Sequence, residues 1–379
     1  MKKKSPPAAP TTISDLSDDL VRKVFLRLPS LPSLVRAALT CRGFLRAVRS
    51  SPAFRRGFRE LHPPSLLGVF LDIYDDAMPA FAPVRCSDPD HAAAVRGADV
   101  FLTRLPYDND NDPGWSMSEC RDGWPSTNNP LTRALHLFPV PPDEIIEDMQ
   151  AEFHVLSSEE DHGSFRVVIV CHVNWGAQAA VFSPETREWQ IFPFDEDAAT
   201  RPAGYCLTDE GTLVNGFVYW PFAKNANVRV LNTATFQFSR IDLPHMEGHE
   251  AIKIGETKDG KLCLVSAAKL TLIVWVWRAD GDGVNRWMLD KTFPLQDAIE
   301  TPECCPDGHF TLKIMSVIGG IVHLSTVCET HPDSDCWFLS LCMETEKLNR
   351  LCPINYSVFS YPYIMAWPPS LEHRNEIAT

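Results

Sequence analysis

Apolar residues recur with a helical period over the first sixty positions and with a strand period, or in short continuous runs, after that. Leu20, Val21, Val24, Phe25 and Leu28 predict one apolar helix face, with Ser17 as N-cap and Asp18 and Asp19 in the first turn. Pro29 stops that helix. Pro32 and Ser33 open a second helix, striped by Leu34, Ala37, Ala38 and Cys41, and Gly43 breaks the run. Phe44, Leu45 and Val48 form a third short helix. Ser51 and Pro52 cap a fourth, which carries Phe54, Phe58 and Leu61. So few residues cannot bury all these apolar groups among themselves, which leaves some for a partner or for a neighbouring domain.

From Leu66 onward the predicted elements are strands. The runs are Leu66–Ile73, Phe165–Val173, Leu213–Trp220, Leu262–Val265, Leu270–Trp277, Phe310–Val317 and Ile321–Leu324. Turn dipeptides punctuate them at Asp122-Gly123, Asn215-Gly216, Asp259-Gly260, Asp307-Gly308 and Gly319-Gly320. A weak repeat of about 50 residues overlies this pattern, the period of antiparallel propeller blades. Asn129–Arg133 leads to Leu137-Phe138-Pro139, Ser183–Trp189 to Ile191-Phe192-Pro193, Asn232–Phe238 to Ile241–Pro244, and Met343–Leu348 to Leu351-Cys352-Pro353. Trp287–Pro294 is a looser copy. Each unit is a hairpin turn, an aromatic or apolar strand and a proline exit, and it must stack on neighbours to bury its face. Between Cys120–Gly123 and the first hairpin, Trp124–Asn128 is too short and too polar for the apolar strand the pattern calls for.

Two stretches carry a family resemblance. Ile13–Val21 through Val24–Pro29 resembles the opening of the F-box motif, and Leu34–Val48 resembles its second half, in order and spacing. The later hairpins, and the closing run Val358–Ile364 onward to Ser370-Leu371, are similar to plant F-box proteins with a C-terminal F-box-associated β-propeller-like domain. The resemblance implies an α+β multidomain chain. A flexible basic, Pro-rich tail (1–12) precedes a helical F-box module (13–61) and an all-β propeller-like domain (62–375), incomplete by the missing strand. It also implies the substrate-recognition subunit of an SCF-type ubiquitin ligase, non-catalytic itself. The F-box would bind a Skp-type adaptor, and through it a cullin, while the β-domain would bind a substrate protein. By resemblance the adaptor meets Leu16, Ser17, Leu20, Leu34, Val35, Cys41 and Phe44. Ser17 stands where the family commonly has proline and Phe44 where it commonly has tryptophan, so weakened adaptor binding is expected.

Charge sharpens the picture. The chain is −14 overall, yet residues 1–60 hold 13 Lys/Arg against 4 Asp/Glu, a net +9 that leaves −23 for the rest. A basic module suits an acidic partner, whereas the acidic bulk disfavours lying on nucleic acid. Composition is ordinarily globular, with 45% apolar and 22% charged residues. Met1–Lys4 is basic, but Ser5–Thr12 holds no apolar core of a signal peptide, and no apolar run is long enough to span a bilayer. The twelve cysteines are scattered, with no C-x-x-C spacing, as expected for reduced thiols. The expectation is a cytoplasmic or nuclear protein, with no membrane and no nucleic-acid partner.

Residues that could signal other chemistry are weaker. Asp108, Asp110, Asp112 and Glu119 have the spacing of a calcium loop, but Pro113 replaces the glycine of its sharp turn. Gly255–Lys261 matches part of a phosphate loop, yet Leu262 follows where a hydroxyl is needed. Cys304, Cys305, His309, Cys328, His331 and Cys336 lack zinc-knuckle spacing, and His249-Glu250 lacks a second histidine. Trp115, Trp175, Trp220, Trp275, Trp277 and Trp287 read as core or turn residues. The sequence therefore implies no cofactor, metal or catalytic residue. The competing readings are a non-ligase binding scaffold with a drifted F-box, a propeller enzyme and a nucleic-acid binder.

Overall fold

The computed structural model describes residues 16–62, 66–73, 80–84, 89–101, 103, 120–121, 124–125, 128–129, 134–135, 141–142, 145, 150–157, 165–173, 176–196, 211–222, 227–246, 251–296, 298–299, 310–328, 336–354, 358–365, 367 and 371. A small N-terminal helical bundle is followed by an all-β propeller, five-bladed among the described residues. The chain divides into two compact units. One holds the N-terminal helices together with Trp367 and Leu371, and the other holds the strands.

The helices are α1 (Asp18–Phe25), α2 (Leu31–Ala38), α3 (Arg42–Arg49) and α4 (Pro52–Leu61). Ser17 and Ser51 cap α1 and α4 as the sequence predicts. Two boundaries differ. Ser30 rather than Pro32 starts α2, leaving the proline in the first turn, where its missing N–H costs nothing. The break before α3 falls at Thr40-Cys41, not at Gly43, because the Cys41 thiol already caps the helix and Gly43 lies inside it.

The propeller begins with β1 (Leu66–Ile73) and β2 (Ala80–Pro83), followed by α5 (Pro89–Gly97). Four two-residue strands come next: β3 (Cys120–Arg121), β4 (Trp124–Pro125), β5 (Asn128–Asn129) and β6 (Ala134–Leu135). They pair as β3–β4 and β5–β6, which fits the short, polar sequence there. Four antiparallel four-stranded blades follow, each an up-and-down meander. The first comprises β7 (Gln150–Ser157), β8 (Phe165–Val173), β9 (Gly176–Ser183) and β10 (Glu188–Ile191). The second comprises β11 (Thr212–Val214), β12 (Phe217–Phe222), β13 (Asn227–Asn232) and β14 (Phe238–Asp242). The third comprises β15 (Ala251–Glu256), β16 (Leu262–Ala268), β17 (Thr271–Ala279) and β18 (Asn285–Pro294). The fourth comprises β19 (Phe310–Ile318), β20 (Ile321–Cys328), β21 (Cys336–Cys342) and β22 (Leu348–Ile354). The last strand, β23 (Val358–Ile364), pairs antiparallel with β1, Phe70 opposite Tyr361, so the two ends of the propeller sequence share one blade.

Middle strands are buried on both faces and outer strands are not, which explains the continuous apolar runs of β8 and β16 beside the polar β10 and β18. The core is a series of seams between blades. Val168 and Val181 meet Val218 and Trp220 in one, and Tyr219 and Val230 meet Leu264 and Trp275 in the next. Val265 and Val274 meet Leu324 and Leu339 in a third, while Val69 meets Phe338 where the closing blade joins. At Gly255 the seam is so tight that a Cβ would come within 2.1 Å of the Val317 carbonyl oxygen.

The sequence repeat is the hairpin between the third and fourth strands of a blade. Arg187, Phe236 and Glu346 each adopt a left-handed φ near +55 to +59°, and each N–H bonds the carbonyl four residues back, on Ser183, Asn232 and Cys342. The looser copy differs in kind. Trp287–Pro294 lies on β18 itself, and its hairpin, 280–284, uses Gly283 at φ +77° with Asp280 accepting from the Asp282 and Val284 N–H groups.

Candidate functional site

The helical unit is assembled from four similar helix starts. A side chain at each N-cap accepts from the backbone N–H three residues on: Ser17 Oγ from Leu20 at 3.4 Å, Ser30 Oγ from Ser33 at 3.4 Å, Cys41 Sγ from Phe44 at 3.4 Å and Ser51 Oγ from Phe54 at 3.2 Å. The helices close on Val21, Phe25, Leu34, Ala38, Ala47, Val48, Phe54 and Phe58. Arg22 ties α1 to the end of α3, its Nε donating to the Ala47 carbonyl at 2.9 Å and its Nη2 to Ser50 Oγ at 3.1 Å. Arg55 Nη1 donates to the Arg49 carbonyl at 2.7 Å.

That core leaves particular apolar groups outside. On α1, Val21 and Phe25 point inward, while Leu20 is 49% and Val24 50% exposed. Five apolar positions span more of the circumference than one buried stripe needs, so the face splits. Beside α2, Leu39 is 53% exposed, one turn beyond the half-buried Val35. Leu16 and Phe44 are half-buried against the core, and the Phe44 ring packs edge-on against Phe25 at 5.3 Å and 84°. Ser17 and Cys41 are exposed cap residues. Leu34 is fully buried and presents no surface, so of the seven residues singled out in the sequence it sits beneath the others. Val24 and Leu39 were not among the seven. The signal for Val24 was its place one turn after Leu20, whereas Leu39 had none.

The electrostatics of the unit are one-sided. Residues 16–62 hold ten Lys/Arg against Asp18, Asp19 and Glu60. Lys23, Arg27, Arg36, Arg42, Arg46, Arg56 and Arg59 are exposed. The surface thus combines apolar pairs at helical spacing with a positive field.

Comparison with known families decides what this unit is. The F-box domain model matches residues 13–56, and a model described as "F-box protein AT5G49610-like, beta-propeller" matches residues 122–319, just over half of the chain. The chain belongs to this F-box β-propeller family. No curated protein matches it. Among solved structures it is similar to TolB from Acinetobacter baumannii (11% identity, 50% of this chain and 41% of that one, TM-score 0.29). It is also similar to an oligogalacturonate lyase in complex with manganese (12%, 59% and 57%, 0.32) and to the Dos1 propeller (14%, 61% and 54%, 0.31). The chain thus spans well under two thirds of these proteins.

Within the F-box, the two departures from the usual pattern have clear structural roles. Ser17 supplies the α1 cap through its hydroxyl, and Phe44 keeps an aromatic contact with the α1 core. The other sequence motifs resolve differently. Gly255–Lys261 is the β15–β16 hairpin, closed by the Thr257 N–H donating to the Lys261 carbonyl and the Gly260 N–H to Thr257, so it forms no phosphate loop. The loop from Asp108 to Glu119 and the residues Cys304, Cys305, His309, His331, His249 and Glu250 lie outside the described residues, as do the side chains of Cys328 and Cys336. Among the described residues no three His, Cys, Asp or Glu side chains are grouped to hold a metal. None of the described helices is long and apolar enough to cross a membrane. Trp220 and Trp275 are seam core residues, Trp277 and Trp287 pack edge-on at 5.1 Å, and Trp115 and Trp175 lie outside the described residues.

Among the described residues, the propeller holds a buried charged cluster that sequence reading missed. Buried Glu152 on β7 accepts at Oε2 from Trp220 Nε1 and from the Gly211 N–H, both at 2.8 Å. His154 Nε2 stands 3.7 Å and His172 Nε2 3.8 Å from its carboxylate. Arg229 Nη1 stands 3.3 Å from His172 Nδ1. Burial opposes ionisation of Glu152, but the adjacent imidazoles of His154 and His172 and the Gly211 N–H outweigh it and hold its pKa at about 2. This carboxylate fastens the seam between the β7–β10 and β11–β14 blades.

Proposed function

We propose that this chain is the substrate receptor of an SCF-type ubiquitin ligase, its F-box docking a Skp-type adaptor that carries a cullin and its propeller binding the protein to be modified. The observation that carries the reading is the F-box surface: Leu20, Val24 and Leu39 lie exposed on a basic module whose core is filled without them. Isolated exposed apolar residues are ordinary, but pairs at helical spacing within a family that docks through this module are an interface. Leu16, Ser17, Leu20, Val35, Cys41 and Phe44 form the contact set together with the exposed Val24 and Leu39, with Leu34 as the support beneath. An acidic adaptor suits the positive field. The chain contributes proximity and orientation, and ubiquitin transfer is carried out by other subunits. The propeller loops are the place for substrate specificity, because loops on a rigid scaffold carry recognition. The role places the protein in the cytoplasm or the nucleus, where it needs neither cofactor, nucleic acid nor membrane.

The test is titration of purified Skp-type adaptor against the full chain and against a Leu20→Asp/Val24→Asp variant. Two exposed positions can be charged without disturbing the core, so the variant keeps its helical signal. Its affinity is expected to fall at least about a hundredfold, the loss of two interface anchors. Equal binding by both proteins, or none by the unmodified chain, would remove the adaptor reading and leave a propeller scaffold with a drifted F-box.

A further inference from the structure

The F-box core contains two residues from the far end of the chain. Trp367 follows the end of β23 by three positions, yet its ring is only 6% exposed and lies in the cluster with Val21, Phe25, Leu34 and Phe58. Leu371 is fully buried in the same cluster. Where the sequence assigns residues through 375 to the β-domain, these two side chains pack with the helices.

Phe58 is the hub of the contact. It is 1% exposed and is surrounded by three rings: His62 at 4.4 Å, Phe54 at 6.1 Å and Trp367 at 6.1 Å, the last edge-on at 76°. The Arg59 guanidinium lies over the indole at 5.4 Å, a cation–π contact. A bundle of four helices of eight to ten residues has little interior of its own, and a tryptophan and a leucine are a large share of it. The indole Nε1 has no acceptor among the described residues.

We infer that Trp367 and Leu371 are working parts of the adaptor-docking module, fixing α4 through Phe58 and thereby positioning α1, whose Leu20 and Val24 the adaptor grips. Trp367 and Leu371 are positioning residues, since they act through the shared core with Val21 and Phe25 and not by touching the partner. The inference rests on the adaptor reading above. The F-box helices emerge first, but their core is complete only when residue 371 has been made, so a chain cut short before it lacks a fully ordered docking surface.

The experiment uses the full chain and four variants: Trp367→Phe, Trp367→Ala, Leu371→Ala and the double alanine. Adaptor association and dissociation are followed alongside amide hydrogen exchange of α1, α4 and the β16–β17 pair. The double alanine is expected to bind roughly tenfold more weakly, mainly through faster dissociation. Exchange in α1 and α4 should rise while β16–β17 stays protected, and Leu371→Ala should fall between. Trp367→Phe keeps the ring contacts and should bind within about twofold of the unmodified chain. Unchanged dissociation in the double alanine would overturn the inference. So would Trp367→Phe failing as badly as Trp367→Ala, because that would give the role to the indole N–H. Loss of protection in β16–β17 as well would also overturn it, by showing general unfolding instead of a local effect. No adaptor binding by the unmodified chain would sink the adaptor reading itself, a result distinct from binding that is insensitive to the variants.

Discussion

Single buried residues set how the propeller responds to acid. Glu152 has a folded-state pKa of about 2 against an ordinary 4.5, its favourable neighbours overcoming its burial. The stability it contributes is fully present above pH 4.5 and is lost as the pH falls toward 2, a swing of about 3 kcal/mol. His323 acts at higher pH. Burial lowers its pKa from 6.5 to about 4, with Ser316 Oγ 2.9 Å from Nδ1 and Phe338 stacked on the ring. The unfolded chain therefore takes up a proton there before the folded one does, and stability falls between pH 6.5 and 4, again by about 3 kcal/mol. Denaturant titrations at half-unit steps of pH should show both losses. In Glu152→Gln the lower one should flatten, in His323→Gln the upper one, and a variant with an unaltered profile would refute its assignment. Sequence could not have shown either environment. Glu152 meets Gly211 and Trp220, 59 and 68 residues away, and nothing local marks it as buried. Cap residues such as Ser17 and Ser51 were legible because their partners lie three residues on.

Elements were most readable where a local signal was strong. The runs Leu66–Ile73 and Phe165–Val173 are strands with those bounds, and Asn215-Gly216 and Gly319-Gly320 are tight hairpins with both residues at positive φ. Periodicity gave the stripe on α1 but not how it divides, because which of two adjacent apolar columns is buried depends on where α3 lies. Trp367 carried no local signal of its burial, standing between Ala366 and Pro368 beyond the last strand. Glycines divide in the same way. Gly216 is needed for its φ of +79°, and an added Cβ would have room, 3.7 Å from Thr233 Oγ1. Gly216→Ala should cost about 1–2 kcal/mol, the strain of a left-handed residue. Gly255 is needed for space, since its Cβ would meet the backbone of Val317 on the next blade, which cannot turn aside. Gly255→Ala should cost about 3 kcal/mol or more, above the ordinary range of overpacking. Thermal unfolding of the two variants would measure the difference, and equal losses would mean that the seam yields more easily than its geometry implies.

At the scale of the molecule, the repeat of about 50 residues revealed the blades, but nothing in it revealed how the ring ends meet. The closing partners, β1 and β23, are each an ordinary apolar strand at opposite ends of the propeller sequence, and only the fold pairs them. Charge, by contrast, was visible in the composition and bears on function at this scale. With +9 on residues 1–60 and −23 on the rest, the two parts should attract an acidic adaptor and repel it respectively. Both fields are screened beyond about 8 Å at physiological salt, so the charges on the unit that meets the partner count most. At moderate ionic strength the F-box field should therefore dominate the encounter, and further salt should slow association by roughly one to two decades. Dissociation should change little, because the apolar grip proposed for Leu20 and Val24 is insensitive to screening. Stopped-flow association of adaptor over a series of salt concentrations separates the two rates. A salt effect confined to dissociation would mean that buried ion pairs, not exposed leucine and valine side chains, hold the complex, and the contact set would then have to be sought among Arg36, Arg42 and Arg46.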